Sequence, residues 1–180
     1  MIIPPEQWRK IRAIVLDIDG ILTDGRIGYG GGSGEEIKFF HVRDGHGIKL
    51  ALRAGLLVGA LSGRQSEANR RRAEELGFSF LYEKKHDKLA AFQELLAEHR
   101  LEAGECLYMG DDVVDLPVMR TVGIAVTVAD APDYMDTAAR WRTAAAGGCG
   151  AVREAIERLL LESGRWDAVM ARYGLEGYRL

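Results

Sequence analysis

The sequence predicts an α/β fold: a Rossmann-like parallel sheet flanked by helices, with a β-hairpin inserted after the first strand. Three observations carry this. Short apolar runs recur along the chain, segments of helical periodicity separate them, and one glycine-rich stretch breaks the alternation early on. Strands alternating with helices imply βαβ units and a parallel sheet. Runs without polar alternation, such as Leu56–Leu61, suit strands covered on both faces.

In chain order, the first strand is read at Ile11–Leu16. The hairpin follows over 25–41, with Arg26–Tyr29 as one strand, a turn through Gly30–Gly34, and Glu35–Phe40 as the other. Ile27, Tyr29, Ile37, Phe39 and Phe40 are too many apolar residues for an isolated hairpin in water, so a subunit contact is expected there. A helix over Asp44–Ala54 leads to a strand at Leu56–Leu61, and a helix over Ser66–Leu76 leads to Phe78–Tyr82. Gly55 and Gly77 stand where helices end on glycine, and Ser66 is a candidate N-cap. Asp87–His99, Glu105–Met109, Val114–Thr121 and Gly123–Val128 continue the pattern as helix, strand, helix and strand. A last helix runs through Leu161 to Gly164 and opens a tail over 164–180, whose Trp166, Tyr173 and Tyr178 suit docking against a neighbour. No second domain or repeat is visible, so 1–180 is read as one domain.

Composition narrows the function. The formal net charge is −3 over 180 residues, and Arg70-Arg71-Arg72 is the sole basic run, read as a solvated helix face. Nucleic acid is therefore not the expected partner. No apolar run approaches the ~18 residues of a membrane span. The two cysteines, Cys106 and Cys149, have neither disulfide-framework nor metal-site spacing and read as reduced thiols. With no signal core at the N-terminus, the cytoplasm is the expected compartment.

The chemistry collects at carboxyl ends of the expected strands, where open α/β sheets hold ligands. Asp17 and Asp19 follow the first strand, and one could attack as a nucleophile while the other trades protons. Ser62-Gly63-Arg64 follows the second long run and offers a hydroxyl and backbone N–H groups to phosphate oxygens, although a helix-entry turn reads the same way. Lys88 opens a helix, where a cation is unfavourable to the helix dipole, which makes it a better candidate for a functional charge than the surface lysines Lys84 and Lys85, although by itself the position still favours a surface role. Asp111, Asp112 and Asp115 follow Glu105–Met109 and could complete an oxygen-ligand site suited to Mg²⁺. Asp112 and Asp115 also read as helix N-terminal acids, and for Asp115 the two readings are about equally good. His41 and His46 flank the Arg43-Asp44-Gly45 turn as structural or substrate-edge groups, and His86 and His99 read as surface residues.

The order Asp17/Asp19, Ser62, Lys88, Asp111/Asp112 resembles the four signature motifs of the haloacid dehalogenase superfamily of phosphatases. Longer phrases resemble one family within it, the 3-deoxy-D-manno-octulosonate 8-phosphate (KDO 8-phosphate) phosphatases. They are Asp19-Gly20-Ile21-Leu22-Thr23-Asp24-Gly25, the stretch Phe39–Lys49, Gly110–Met119, Val128-Ala129-Asp130-Ala131 and Gly147–Glu154. The resemblance implies a capless phosphatase in which the hairpin assembles a homotetramer and a neighbouring subunit helps close the site. It implies Asp17 as nucleophile, Asp19 as acid and base, and Mg²⁺ held by Asp17, the Asp19 carbonyl and Asp111. Ser62 and Lys88 complete the catalytic set, and Asp19, Thr23, Ser62, Gly63, Arg64 and Lys88 are the implied substrate-binding residues. Arg64 is suited to a sugar-acid carboxylate, where phosphatases of nonulosonate 9-phosphates look to carry glutamate. The chain departs from the family at Tyr82-Glu83-Lys84, where Tyr-Gln-Gly is usual, at Cys149, often arginine, and at Ser62, more commonly threonine. Two other readings stand beside hydrolysis of KDO 8-phosphate: the same chemistry on another sugar-acid phosphate, and a non-catalytic tetrameric scaffold, for which a retained Asp19 has no use.

Overall fold

The computed structural model describes residues 3–31 and 35–178. The chain begins with a short helix, α1 (Pro5–Lys10), and enters the sheet at β1 (Ala13–Leu16). The hairpin strands β2 (Gly28–Tyr29) and β3 (Glu36–Ile37) come next, then α2 (Val42–Arg53) and β4 (Leu57–Leu61). The chain continues through α3 (Glu67–Leu76), β5 (Phe80–Tyr82), α4 (Lys88–His99) and β6 (Cys106–Met109). It ends with α5 (Leu116–Met119), β7 (Ile124–Thr127), β8 (Trp141–Arg142), α6 (Ala151–Glu162) and α7 (Trp166–Met170).

Six strands form one sheet in the order β5-β4-β1-β6-β7-β8, and every pairing is parallel. From β1 the chain winds outward through β4 and β5, then returns to the other side of β1 with β6. The reversal lies between β1 and β6, so ligands belong in the crevice beyond the carboxyl ends of these strands. Register makes that crevice specific. Leu16 pairs with Ala60 on one side and Met109 on the other, which brings the residues after all three to one edge.

The apolar runs become strands because both faces are covered: β1, β6 and β7 are buried throughout. Helix termini obey local chemistry. The Ser66 side chain accepts from Asn69 N–H at α3, Asp87 does the same from Ala90 N–H at α4, and Gly77 closes α3 in the left-handed region. At α6 no local residue caps the first turn; the buried Asp44 carboxylate of α2 accepts from Gly150 and Arg153 N–H instead, clamping the two helices together. Burial raises the Asp44 pKa, and those two N–H bonds oppose the rise.

The hairpin is antiparallel, though only two residues of each expected strand are paired. Gly32, Ser33 and Gly34 of its expected turn lie outside the described residues. Tyr29 and Phe39 are 68% and 75% exposed, whereas Phe40 lies partly buried against the core under Arg72. Two expectations need correction. The helix expected over Val114–Thr121 is only Leu116–Met119, because the backbone before it turns to hand N–H groups to Asp115. The tail docks on its own chain. Trp166 is buried and donates from Nε1 to Leu175 O, while the Tyr178 ring packs on it and Tyr173 reaches α2.

Candidate active site

Asp17 leaves β1 still bound to the sheet, its N–H donating to Met109 O at 3.0 Å. Its Oδ1 accepts from Ile18 N–H at 2.7 Å and its Oδ2 lies 2.9 Å from Lys88 Nζ. The Lys88 ammonium is buried and also donates to Asp115 Oδ1 at 2.6 Å. Asp115 is wholly buried and fully engaged: Tyr108 Oη donates to Oδ1, and the N–H groups of Asp111 and Asp112 reach Oδ2. The alternatives left open for Asp115 merge, since it caps a turn and anchors Lys88 with one carboxylate. Asp112 faces solvent and accepts from Tyr134 Oη.

Asp17, Asp111 and Asp115 bring carboxylate oxygens within 4.8 Å of one another. Asp115 has no oxygen to spare, but Asp111 Oδ1 is buried without a hydrogen-bond partner. An orphaned buried carboxylate oxygen beside a second carboxylate is costly unless a cation completes it. The donor set is all oxygen, which fits a hard cation such as Mg²⁺. Gly20 makes room: a Cβ there would collide with the Asp111 carboxylate, and its φ of +95° favours glycine in any case.

Electrostatics agree. Burial, with Asp115 adding to it against the pull of Lys88, pushes Asp17 up to about 7. Burial and the neighbouring Asp17 and Asp115 push Asp111 up to about 7. Burial alone would depress Lys88, but Asp17 and Asp115 outweigh it and raise the ammonium above its ordinary value. The sign for stability follows. Without metal, the folded state holds protons on Asp17 and Asp111 that the unfolded chain releases near 3.8, so stability falls as pH rises from there towards about 7. A divalent cation needs the ionised acids and competes with those protons. The rise in melting temperature with Mg²⁺ is therefore expected to be small at pH 5 and large at pH 8; a rise independent of pH would contradict this.

A cleft of about 230 Å³ opens over these groups, lined by Asp17, Asp19, Ser62, Gly63, Arg64, Lys85, His86, Lys88, Asp111, Asp112 and Val114. The structure thus gathers all the expected site residues except Thr23. That residue is buried, and its hydroxyl is spent on the loop, accepting from Gly20 and Gly25 N–H and donating to Ile18 O. It shapes the turn between the two acids and the hairpin. Lys85 and His86, read as surface positions, line the cleft rim. Glu83 departs from the family pattern and accepts from Ser66 N–H, Asn69 Nδ2 and Arg70 Nε, tying down the start of α3. Sequence reasoning missed two further residues beside the site. Lys38 and Glu36 of the hairpin pair with Asp19 and Arg64. Alternation along Glu35–Phe40 was the available signal, but by itself it does not say which face turns inward.

A parallel sheet with paired acids just past the end of its central strand, a lysine against the first of them and a third acid just past the adjoining strand defines a haloacid dehalogenase-like hydrolase, and the family model of that description matches residues 72–156. The 3-deoxy-D-manno-octulosonate 8-phosphate phosphatase KdsC of Escherichia coli is 44% identical over 158 residues, 88% of this chain and 84% of that protein. The phosphatase of the same description from Moraxella catarrhalis, whose crystal structure holds magnesium, phosphate and KDO, superposes with a TM-score of 0.90 at 34% identity, covering 94% of this chain and 97% of that one. The cobalt-bound enzyme of Haemophilus influenzae gives 0.88 at 38%, over 94% and 98%. The chain belongs to the 3-deoxy-D-manno-octulosonate 8-phosphate phosphatase family.

Proposed function

We propose that this chain is a Mg²⁺-dependent phosphatase that hydrolyses KDO 8-phosphate to KDO and phosphate, a step in lipopolysaccharide precursor synthesis, with 1–180 acting as one phosphatase domain. The observation that carries the reading is the group of buried Asp17 and Lys88 with partly buried Asp111 at the strand ends of a chain 44% identical to a phosphatase of that substrate. Asp17 attacks phosphorus and becomes an aspartyl-phosphate as the ester oxygen departs. Asp19 gives that oxygen a proton, then takes one from the water that hydrolyses the intermediate. Ser62, the Gly63 N–H and Lys88 hold the phosphoryl oxygens, where stabilising developing charge is the main catalytic lever. Asp17, the Asp19 carbonyl and Asp111 would hold Mg²⁺, which when bound offsets the repulsion between carboxylate and phosphate dianion.

Arg64 lies at the cleft wall, where its guanidinium can take a sugar-acid carboxylate in two parallel hydrogen bonds. The cleft, about 230 Å³, is smaller than the ~300–1,000 Å³ of sites that enclose a whole small ligand, so part of the sugar extends beyond it. That supports a neighbouring subunit as a further wall and the exposed Tyr29, Ile37 and Phe39 as an assembly face of a homotetramer. Sedimentation at micromolar concentration is expected to give the tetramer; a monomer would remove this part of the reading. Among the described residues no helix is long and apolar enough to cross a membrane, and a cytoplasmic location suits the substrate.

The test is phosphate release with Mg²⁺ from KDO 8-phosphate, a nonulosonate 9-phosphate, common sugar phosphates and para-nitrophenyl phosphate. Strong preference for the first is expected. Arg64→Ala should lower kcat/KM on it about 10- to 100-fold, mostly through KM, and leave the aryl ester unchanged. Equal turnover of many esters would retain the phosphatase and reject the substrate, and no release from any would favour the scaffold.

A further inference from the structure

The hairpin does more than expose apolar residues. Along β3 and the residues after it, Ile37 and Phe39 face outward at 45% and 75% exposure, while Glu36 and Lys38 turn toward the site. The Lys38 side chain is 0% exposed and its Nζ donates to Asp19 Oδ1 at 2.6 Å. Across Asp19, Oδ2 lies 3.9 Å from Arg64 Nε, and Arg64 in turn pairs with Glu36. The four side chains form a run of alternating charge from behind the general acid to the cleft wall. Lys38 is absent from the cleft lining, whereas Asp19 belongs to it.

A lysine buried this completely is expensive unless its ammonium is paired, and the partner here is the residue read as the acid and base. The pairing has a chemical consequence. An ammonium donating to Oδ1 occupies that oxygen as an acceptor and leaves Oδ2, on the side of the cleft-lining Arg64, as the oxygen that can meet the leaving group. It also holds the carboxyl in one rotamer, the condition under which proton transfer to a departing oxygen is efficient.

We propose that Lys38 is a positioning residue that fixes the Asp19 carboxyl with Oδ2 toward the leaving-group oxygen. The proton passes from Asp19 Oδ2 to the sugar oxygen as its bond to phosphorus breaks, and the proton removed from water later returns to Asp19. Lys38 touches neither substrate nor phosphoryl group and acts through Asp19 alone. The inference rests on the phosphatase reading.

Leaving-group dependence separates this role from simple pinning of the hairpin. The sugar oxygen of KDO 8-phosphate needs a proton to depart, whereas the phenolate of para-nitrophenyl phosphate does not. Because kcat/KM covers the steps through loss of the leaving group, later water attack does not enter. Lys38→Met is expected to lower kcat/KM on KDO 8-phosphate about 10- to 100-fold, a share of the 10²–10⁴ that positioned proton transfer supplies. On para-nitrophenyl phosphate the change should stay below about threefold, and Lys38→Arg should recover most of the loss. Equal losses on both esters, or no loss on KDO 8-phosphate, would overturn the proposal. Should Lys38→Met fail to fold, Lys38→Gln gives the same comparison. A wild-type protein that hydrolyses neither ester would overturn the phosphatase reading and this inference together, a result distinct from either pattern above.

Discussion

Lys88→Met is expected to destabilise the metal-free protein by about 3–5 kcal/mol at pH 8, the cost of leaving buried carboxylates without their cation. Among the described residues Lys88 contributes the single ammonium beside Asp17, Asp115 and Asp111, and its two ion pairs at 2.9 and 2.6 Å are buried. The loss should shrink as pH falls, because Asp17 and Asp111 already titrate near 7 and take up protons when the charge is removed. Phosphate release should drop about 10²- to 10³-fold even where the variant is folded, since a preorganised charge aimed at the phosphoryl oxygens is lost. Denaturant midpoints across pH 5–8, read beside kcat, measure both effects. A stability change below about 1 kcal/mol would mean that the pair behaves like a surface salt bridge, against this account.

Asp17→Asn is expected to move activity and stability in opposite directions. Phosphate release should fall by about 10⁴-fold or more, as when a covalent nucleophile is removed, because an amide can neither attack phosphorus nor leave as the acyl phosphate requires. The metal-free fold should gain stability at pH 8. Asp17 is held at about 7 by burial and by Asp115, so above that pH the native protein carries an ionised group it disfavours. Asparagine keeps an Oδ1 acceptor for Ile18 N–H, which turns its Nδ2 donor toward the Lys88 ammonium and offsets part of the gain, while Lys88 keeps its bond to Asp115. The melting temperature of the variant should exceed that of the wild type at pH 8, and the gap should narrow toward pH 5. Mg²⁺ should raise the variant's melting temperature less than the wild type's. A variant less stable at every pH would show that the Asp17–Lys88 pair outweighs the crowding of carboxylates. A site that is destabilising when empty and stabilised by what it binds is the usual cost of assembling like charges for catalysis.

The parts of this molecule legible in the sequence are those whose signal is local. Strands such as Ala13–Leu16 and Cys106–Met109 announce themselves because burial on both faces leaves no polar alternation, and their carboxyl ends carry Asp17 and Asp111 directly. Lys88 was only half legible: a cation at a helix start goes against the dipole, but that signal alone still favours a surface role, and the two acids that bury it are distant in sequence. What stayed hidden depends on distant partners. Asp44 caps a helix more than 100 residues away, Asp115 gathers donors from Lys88 and Tyr108, and Lys38 meets Asp19 only once the hairpin folds back. The pairs Gly28–Tyr29, Glu36–Ile37 and Trp141–Arg142 are too short for periodicity to register, and Trp141–Arg142 was missed altogether. Thr23 shows a second role that sequence does not reveal: the family resemblance implies a substrate-binding residue, and in the fold its hydroxyl also holds a turn.

The central claim is that Asp17 takes the phosphoryl group from KDO 8-phosphate, and rapid acid quench during turnover addresses it most directly. Wild-type protein mixed with Mg²⁺ and excess KDO 8-phosphate, quenched within one turnover and digested, should yield a phosphorylated peptide containing Asp17, absent from Asp17→Asn. Phosphate release without any trapped phosphoryl-protein, or with the phosphoryl group on another residue, would contradict the account.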